Sequence, residues 1–340
     1  MQPMPVGRAI SLAALSAAVC LVAFASPALA HGPVPAEPPT ITAILFGWTF
    51  EPAVILPLAV AAGAWLRLVG RIDRLHPANP VPRRRTAAFL GGLLVVAVAL
   101  LSGIDAYDTT LFSIHMVQHL LLTLVAAPLI ALGAPITTLL RAATPEIRRT
   151  LILPVLHSRL MRVLSFPVVS WLLFAGVMWG THFSPLFDAS LENPLIHDLE
   201  HGLYLAAGLL FWWPAVGLDP SPWRMPHPVR AMYVFLQMPQ NTFLAVTIMN
   251  STAVLYPHYA TLVRPWGPSV LQDQQLAGGL MWITGDILFL TGLAAIIAGW
   301  MVREKANEAH VDRRLDRERA EIRDREIRLA ERLARERNSD

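Results

Sequence analysis

Seven stretches of the chain are predominantly apolar: residues 50–68, 87–103, 115–140, 165–181, 197–217, 229–250 and 276–301. Each approaches the ~20 residues that a helix needs to cross a bilayer. None alternates as a barrel strand would, and a spanning segment must satisfy its own backbone hydrogen bonds, so helix is the predicted form. The expected fold is all-α, a polytopic membrane helix bundle of seven transmembrane helices behind a cleavable signal peptide. Pro128 and Pro135 fall inside the long third run and predict a tilt or kink, because proline removes a backbone donor and crowds the preceding turn.

The two ends of the chain follow other patterns. Residues 1–30 read as a signal peptide: Arg8, an apolar stretch from Ala9 to Phe24, then Ser26-Pro27-Ala28-Leu29-Ala30 with small residues at the cleavage positions. Mature protein would begin at His31 with a periplasmic segment over 31–49; the alternative is an uncleaved first anchor. Residues 50–302 are the expected seven-helix domain. Beyond it, 303–340 hold twelve Lys/Arg and eleven Asp/Glu, with Leu315, Ile322 and Leu329 seven apart and no proline or glycine. That pattern predicts a separate, solvated cytoplasmic helix with many near-neighbour ion pairs.

Basic residues are distributed one-sidedly between the runs. Arg67, Arg71, Arg74, Arg83, Arg84 and Arg85 follow the first, Arg141, Arg148, Arg149, Arg159 and Arg162 the third, and Arg224 and Arg230 the fifth. The alternate loops, 104–114, 182–196 and 251–275, hold only Arg264. By the positive-inside rule the arginine-rich loops and the C-terminus are cytoplasmic and the N-terminus lies outside, in an inner membrane. Topology and anionic lipid account for the basic excess, so no nucleic-acid partner is expected.

With that topology the candidate chemistry collects on the outer side. His115-Met116-Val117-Gln118-His119 opens the third run and His197-Asp198-Leu199-Glu200-His201 the fifth. Histidines four apart stack on one helix face. His182 ends the fourth run on the same side, and His258 lies in the last outer loop. Imidazole is the commonest transition-metal ligand, so His115, His119, His197, His201 and His182 are the candidate metal ligands. Asp198, Glu200 and Met116 are supporting or alternative ligands, with Asp105, Asp108, Asp188 and Asp273 nearby; the competing reading is interfacial histidines bonded to loops and headgroups. The only cysteine, Cys20, lies in the leader, which excludes thiolate sites in a mature chain. A site of His, Met and carboxylate suits copper, zinc or iron. Haem would use one ligand per helix and leave the second member of each pair unexplained. Zinc proteolysis is poorly supported, since the first pair lacks the glutamate of the His-Glu-x-x-His pattern.

Polar residues inside later runs mark another candidate site. Gln237 and Asn241 lie in the sixth run and Asp286 well inside the seventh, where an ionisable residue is a functional hypothesis by default and structural pairing of Asp286 with Gln237 or Asn241 is the alternative. Gly278, Gly279, Gly285 and Gly292 predict close helix approach. Trp212, Trp213, Trp266 and Trp300 read as interfacial or lipid-facing aromatics.

Together the motifs resemble one family, the integral-membrane CtaG proteins of the caa3-type cytochrome c oxidase assembly factor group. The resembling residues are His115 to His119 followed by Ala127-Pro128-Leu129 and Gly133-Ala134-Pro135, His197 to His201 followed by Gly208 and Trp212-Trp213-Pro214, and Asp273-Gln274-Gln275 with Gly278-Gly279 and Met281-Trp282. The likeness covers about residues 45–300. It implies a non-enzymatic role in making active haem-copper oxidase, by handling copper on the outer side, with oxidase subunits or another copper-handling protein as partners alongside membrane lipid. The soluble copper chaperones that share the CtaG name use paired cysteines, which this chain lacks. A copper or proton transporter through the bundle, or a haem-binding redox subunit, are the alternative functions.

Overall fold

The computed structural model of the protein describes residues 34–337, and every regular element among them is helical. The leader, its cleavage point, Cys20 and His31 lie outside the described residues. A short α1 (Ile41–Phe46) is followed by α2 (Pro52–Leu75), α3 (Arg83–Leu101) and a short α4 (Gly103–Asp108). Next, α5 (Phe112–Leu120) runs through a π-helical stretch (Leu121–Ala126) into α6 (Ala127–Gly133), and α7 (Pro135–Ala142) follows. The middle of the chain forms α8 (Pro167–His182), α9 (Leu186–Glu192) and α10 (Pro194–Val216). The last part forms α11 (His227–Phe235), α12 (Gln237–Met249), α13 (Pro257–Thr261) and α14 (Val270–Arg337).

Among the described residues, four helical stretches are long and apolar enough to cross a membrane: Pro52–Leu75, Arg83–Asp108, Phe112–Ala142 and Val270–Ala306. They make this a membrane protein. The other three expected spans are helical but less simple. In α8 the helix is 16 residues long, α10 opens with His197, Asp198, Glu200 and His201, and the sixth run is divided into α11 and α12 at Leu236.

The kink expected in the third run is a change of helix type. Pro128 has no N–H and its ring crowds the carbonyl of Leu124, and just ahead of it the ladder widens, with Ala127 N–H bonding Leu122 O five residues back. Pro135 follows Ala134, whose φ of 55° is left-handed and separates α6 from α7. The π stretch is braced from α10, where Trp212 Nε1 donates to Thr123 O at 3.0 Å. Trp212 is thus buried in the principal core with Phe211 and Phe289, which corrects its expected interfacial position. An indole N–H aimed at a carbonyl freed by the π register is satisfied only inside the protein.

Close helix approach occurs where the sequence predicted it. A Cβ added at Gly278 on α14 would meet Met249 N of α12 at 2.7 Å and Ala245 O at 2.8 Å, whereas one at Gly279 meets only Met249 Sδ, at 3.9 Å. The charged tail is not a separate element. α14 continues unbroken to Arg337 over 68 residues, roughly 100 Å at ~1.5 Å per residue, because nothing after Gly299 interrupts it.

Loops sort into two ends. At one, His258 N donates to Asp188 Oδ1, His258 Nε2 meets Thr109 O at 3.3 Å, and Tyr259 Oη donates to Asp108 O at 3.0 Å, tying together 104–114, 182–196 and 251–275. Phe112, Phe187 and Tyr256 stack between them. At the other, Asp219 accepts from Ile136 N and Thr137 N, Trp223 Nε1 donates to Arg162 O, Arg141 bonds Asn79 O, and Arg303 meets His227. Burial raises the Asp219 pKa, with its hydrogen bonds and Arg85 acting against the shift. The arginine-rich loops thus share one end and the arginine-poor loops the other.

Candidate metal centre

The histidine pairs open two helices whose starts are fixed by carboxylate and amide caps. Asp273 of α14 accepts Phe112 N–H at 2.7 Å and Ser113 Oγ–H at 2.6 Å, holding the first turn of α5. Asn193 caps α10 through Leu195 N–H, with Pro194 in the first position where a missing N–H costs nothing. His115 and His119 share one face of α5. On α10, His197, Glu200, His201 and Tyr204 follow i, i+3, i+4, i+7 spacing and form its inward stripe. All are buried, as are His182 at the end of α8 and Asp108 at the end of α4.

These elements converge on one compact cluster. Ring centroids are 4.2 Å apart within each pair, 5.4 Å between His115 and His197, and 6.0 Å between His119 and His201. One ligand atom from each of Asp108, His115 and His197 lies within 4.8 Å of the others, and the same holds for His115, His119 and Glu200. His115 therefore belongs to both donor groups. Glu200 Oε2 approaches His115 Nε2 at 3.9 Å and Asp108 Oδ2 approaches His197 Nε2 at 3.6 Å. Each group brings three nitrogen or oxygen donors close enough together that they could hold one metal ion. Asp108 and Glu200 bury two carboxyl groups, costly to desolvate for the fold alone and of the kind a cation would compensate.

His182 and His201 sit at the margins. His182 Nδ1 lies 2.7 Å from Met178 O, an acceptor, so this nitrogen donates and Nε2 keeps its lone pair, 3.4 Å from Met116 Sδ. His201 Nε2 lies 2.9 Å from Gln118 Oε1. Gln118 Nε2 donates to Ala99 O at 3.0 Å, which fixes the amide orientation and makes His201 Nε2 the donor. His201 also lines a cavity of about 170 Å³ between α2, α3 and α10, whose polar wall is Glu51, Asp105 and Asp198.

Asp198 thus stands apart from Glu200. Two residues along a helix turn the side chain by ~200°, which puts Glu200 on the cluster and Asp198 on the cavity. Met116 is buried beside His182. In the second candidate site Asp286 takes neither expected partner: Thr242 Oγ1 donates to it at 2.9 Å, while Asn241 Nδ2 donates to Met281 O and Gln237 bonds Gln240. Gln118, Tyr204 and Glu51 are additions, and Asp108, in the sequence one of several nearby carboxylates, joins the cluster itself. Gln118 and Tyr204 were detectable, three residues on from His115 and His201 on the same faces.

The sequence profile of the family described as "cytochrome c oxidase caa3 assembly factor" matches residues 63–303, which carry every helix of the cluster. An uncharacterized protein of Mycobacterium bovis and one of Mycobacterium tuberculosis are each 31% identical over 298 residues, covering 84% of this chain and 44% of theirs. An uncharacterized protein of Mycobacterium leprae is 28% identical over 288 residues, 82% of this chain and 43% of its own. The chain spans less than half the length of these curated relatives. No solved structure matches. With two histidine-bearing helix starts joined in one buried cluster inside the matched region, the chain belongs to the cytochrome c oxidase caa3 assembly factor family.

Proposed function

We propose that the protein serves haem-copper oxidase assembly by holding copper at the periplasmic end of a seven-pass bundle in the inner membrane. The observation that supports this best is the donor cluster of Asp108, His115, His119, His197 and Glu200. Its imidazoles and carboxylates, without thiolate, suit copper and, less selectively, zinc. Copper would be the protein's cargo, held for transfer. His115 and His197 would carry it with Asp108, or His115 and His119 with Glu200, and His115 would be common to both placements. His201, held by Gln118, would stand between the cluster and the acid-walled cavity, and Glu51, Asp105 and Asp198 would attract a cation toward it. The side assignment rests on the arginine-poor loops that cover the cluster.

Oxidase subunits or another copper-handling protein would receive the ion, a partner class implied by the family's name. A buried set of five close donors favours a single ion over haem, whose macrocycle needs a pocket of several hundred Å³. The test is divalent copper binding by the full chain purified in detergent. A one-to-one complex that His115→Ala and His197→Ala abolish would support the reading. Copper binding equal to wild type in both variants, with the fold intact, would overturn it.

A further inference from the structure

Below the cluster, the same helices enclose a second space of different chemistry. A cavity of about 20 Å³ lies against Met116 of α5, Met178 of α8 and Met281 of α14, with His119, His182 and Tyr204 also in its otherwise mainly apolar wall. That volume holds one atom-sized occupant, since ~10–15 Å³ suffices for a water. His119 is 4% exposed and neither of its ring nitrogens has a hydrogen-bond partner. His182 presents its Nε2 lone pair here, because Nδ1 is engaged by Met178 O. Its nearest neighbour is a thioether, Met116 Sδ at 3.4 Å, rather than an acid or a carbonyl.

We infer that this cavity is a soft-metal site, binding a monovalent copper-class ion through Met116 and Met178 thioethers and the His119 and His182 imidazoles, with Met281 as a further sulfur donor. Thioether and imidazole select Cu(I) or Ag(I), whereas the carboxylates above select harder divalent ions. Alternative uses of the site are weaker. A trapped water would find partners in the His119 and His182 nitrogens but none in the three thioethers of the wall. Simple packing leaves a buried imidazole with two unanswered nitrogens, each a desolvated polar atom that costs stability. His119 faces both spaces, as a donor beside Glu200 above and a wall of the cavity below. The bundle thus stacks a hard-donor site over a soft-donor site along α5. The inference extends the copper reading of the upper cluster, and the test separates the two.

The experiment uses the full chain in detergent and two probes. Cu(I), held reduced under argon and competed with a chromogenic Cu(I) chelator, reports the lower site. Co(II), followed by its ligand-field absorption, reports the upper one. Met116→Leu/Met178→Leu keeps side-chain volume and removes two of the three sulfurs. The expected result is Cu–S scattering in the X-ray absorption of the wild-type Cu(I) complex. The double variant should lose most of that signal and at least ~10-fold in Cu(I) affinity, with Co(II) binding unchanged. Conversely, His197→Ala should weaken Co(II) and leave Cu(I) in place. Absence of Cu–S scattering in the wild type, or unchanged Cu(I) affinity in the double variant, would overturn the inference whatever Co(II) does. Should the double variant fail to fold, Met116→Leu and Met281→Leu singly decide the same question.

Discussion

His115 is the residue on which the upper cluster turns, because both three-donor groups contain it. His115→Ala leaves two donors in each group, Asp108 with His197 and His119 with Glu200. Losing groups that merely orient a ligand costs about 10–100-fold in metal affinity. Losing a shared ligand should cost at least ~100-fold, about 2.7 kcal/mol at ~1.4 kcal/mol per decade. His201→Ala is the comparison, since His201 is buried in the same cluster but its Nε2 is committed to Gln118. It should cost ~10-fold or less. The assay is a thermal melt in detergent with and without divalent copper. A ligand at 100 times its Kd adds about 2.7 kcal/mol to stability, so wild type and His201→Ala should melt higher with copper and His115→Ala should not. His115→Gln, which keeps bulk against the Phe187 ring 5.0 Å away, separates lost ligation from a packing void. Equal copper-induced shifts in wild type and His115→Ala, or a larger loss in His201→Ala, would refute the shared-ligand argument.

Other outcomes follow from the scaffold. Gly278→Ala should destabilise by about 1–3 kcal/mol, because its Cβ would meet α12 backbone at 2.7 and 2.8 Å; Gly279→Ala should be neutral by the same denaturation assay. Trp212→Phe orphans the Thr123 carbonyl in the π stretch and should cost about 1–3 kcal/mol, read by chemical denaturation. Asp273→Ala removes two hydrogen bonds from the start of α5 and should lower stability by about 1–2 kcal/mol, with a smaller fall in metal affinity than His115→Ala. Reporter fusions should place residue 262 outside and residue 337 inside; the reverse would put the cluster on the cytoplasmic side.

The sequence made the site legible where helical geometry alone decides it. Histidines four apart at two helix starts had to share faces, and the arginine count put those starts at one end. The stripe His197, Glu200, His201, Tyr204 could have separated Glu200 from Asp198, but charge drew equal attention to both. What was not legible depends on neighbours. Gln118 reads as one polar residue in an apolar run until His201 meets it, and Trp212 looks interfacial until the π register frees a carbonyl for its N–H. Asp286 pairs with Thr242 rather than with the amides, a choice set by how α12 and α14 dock. The tail read as a separate segment because its composition changes sharply near Arg303, yet helix formation depends on backbone continuity and passes through that boundary.

The most direct measurement is the copper content and activity of the caa3-type oxidase in membranes of cells whose only copy of this protein carries His115→Ala or His197→Ala, at wild-type protein level. The account predicts oxidase that is assembled poorly, deficient in copper and inactive in proportion, with His201→Ala intermediate. Fully metallated, fully active oxidase in both variants would contradict it.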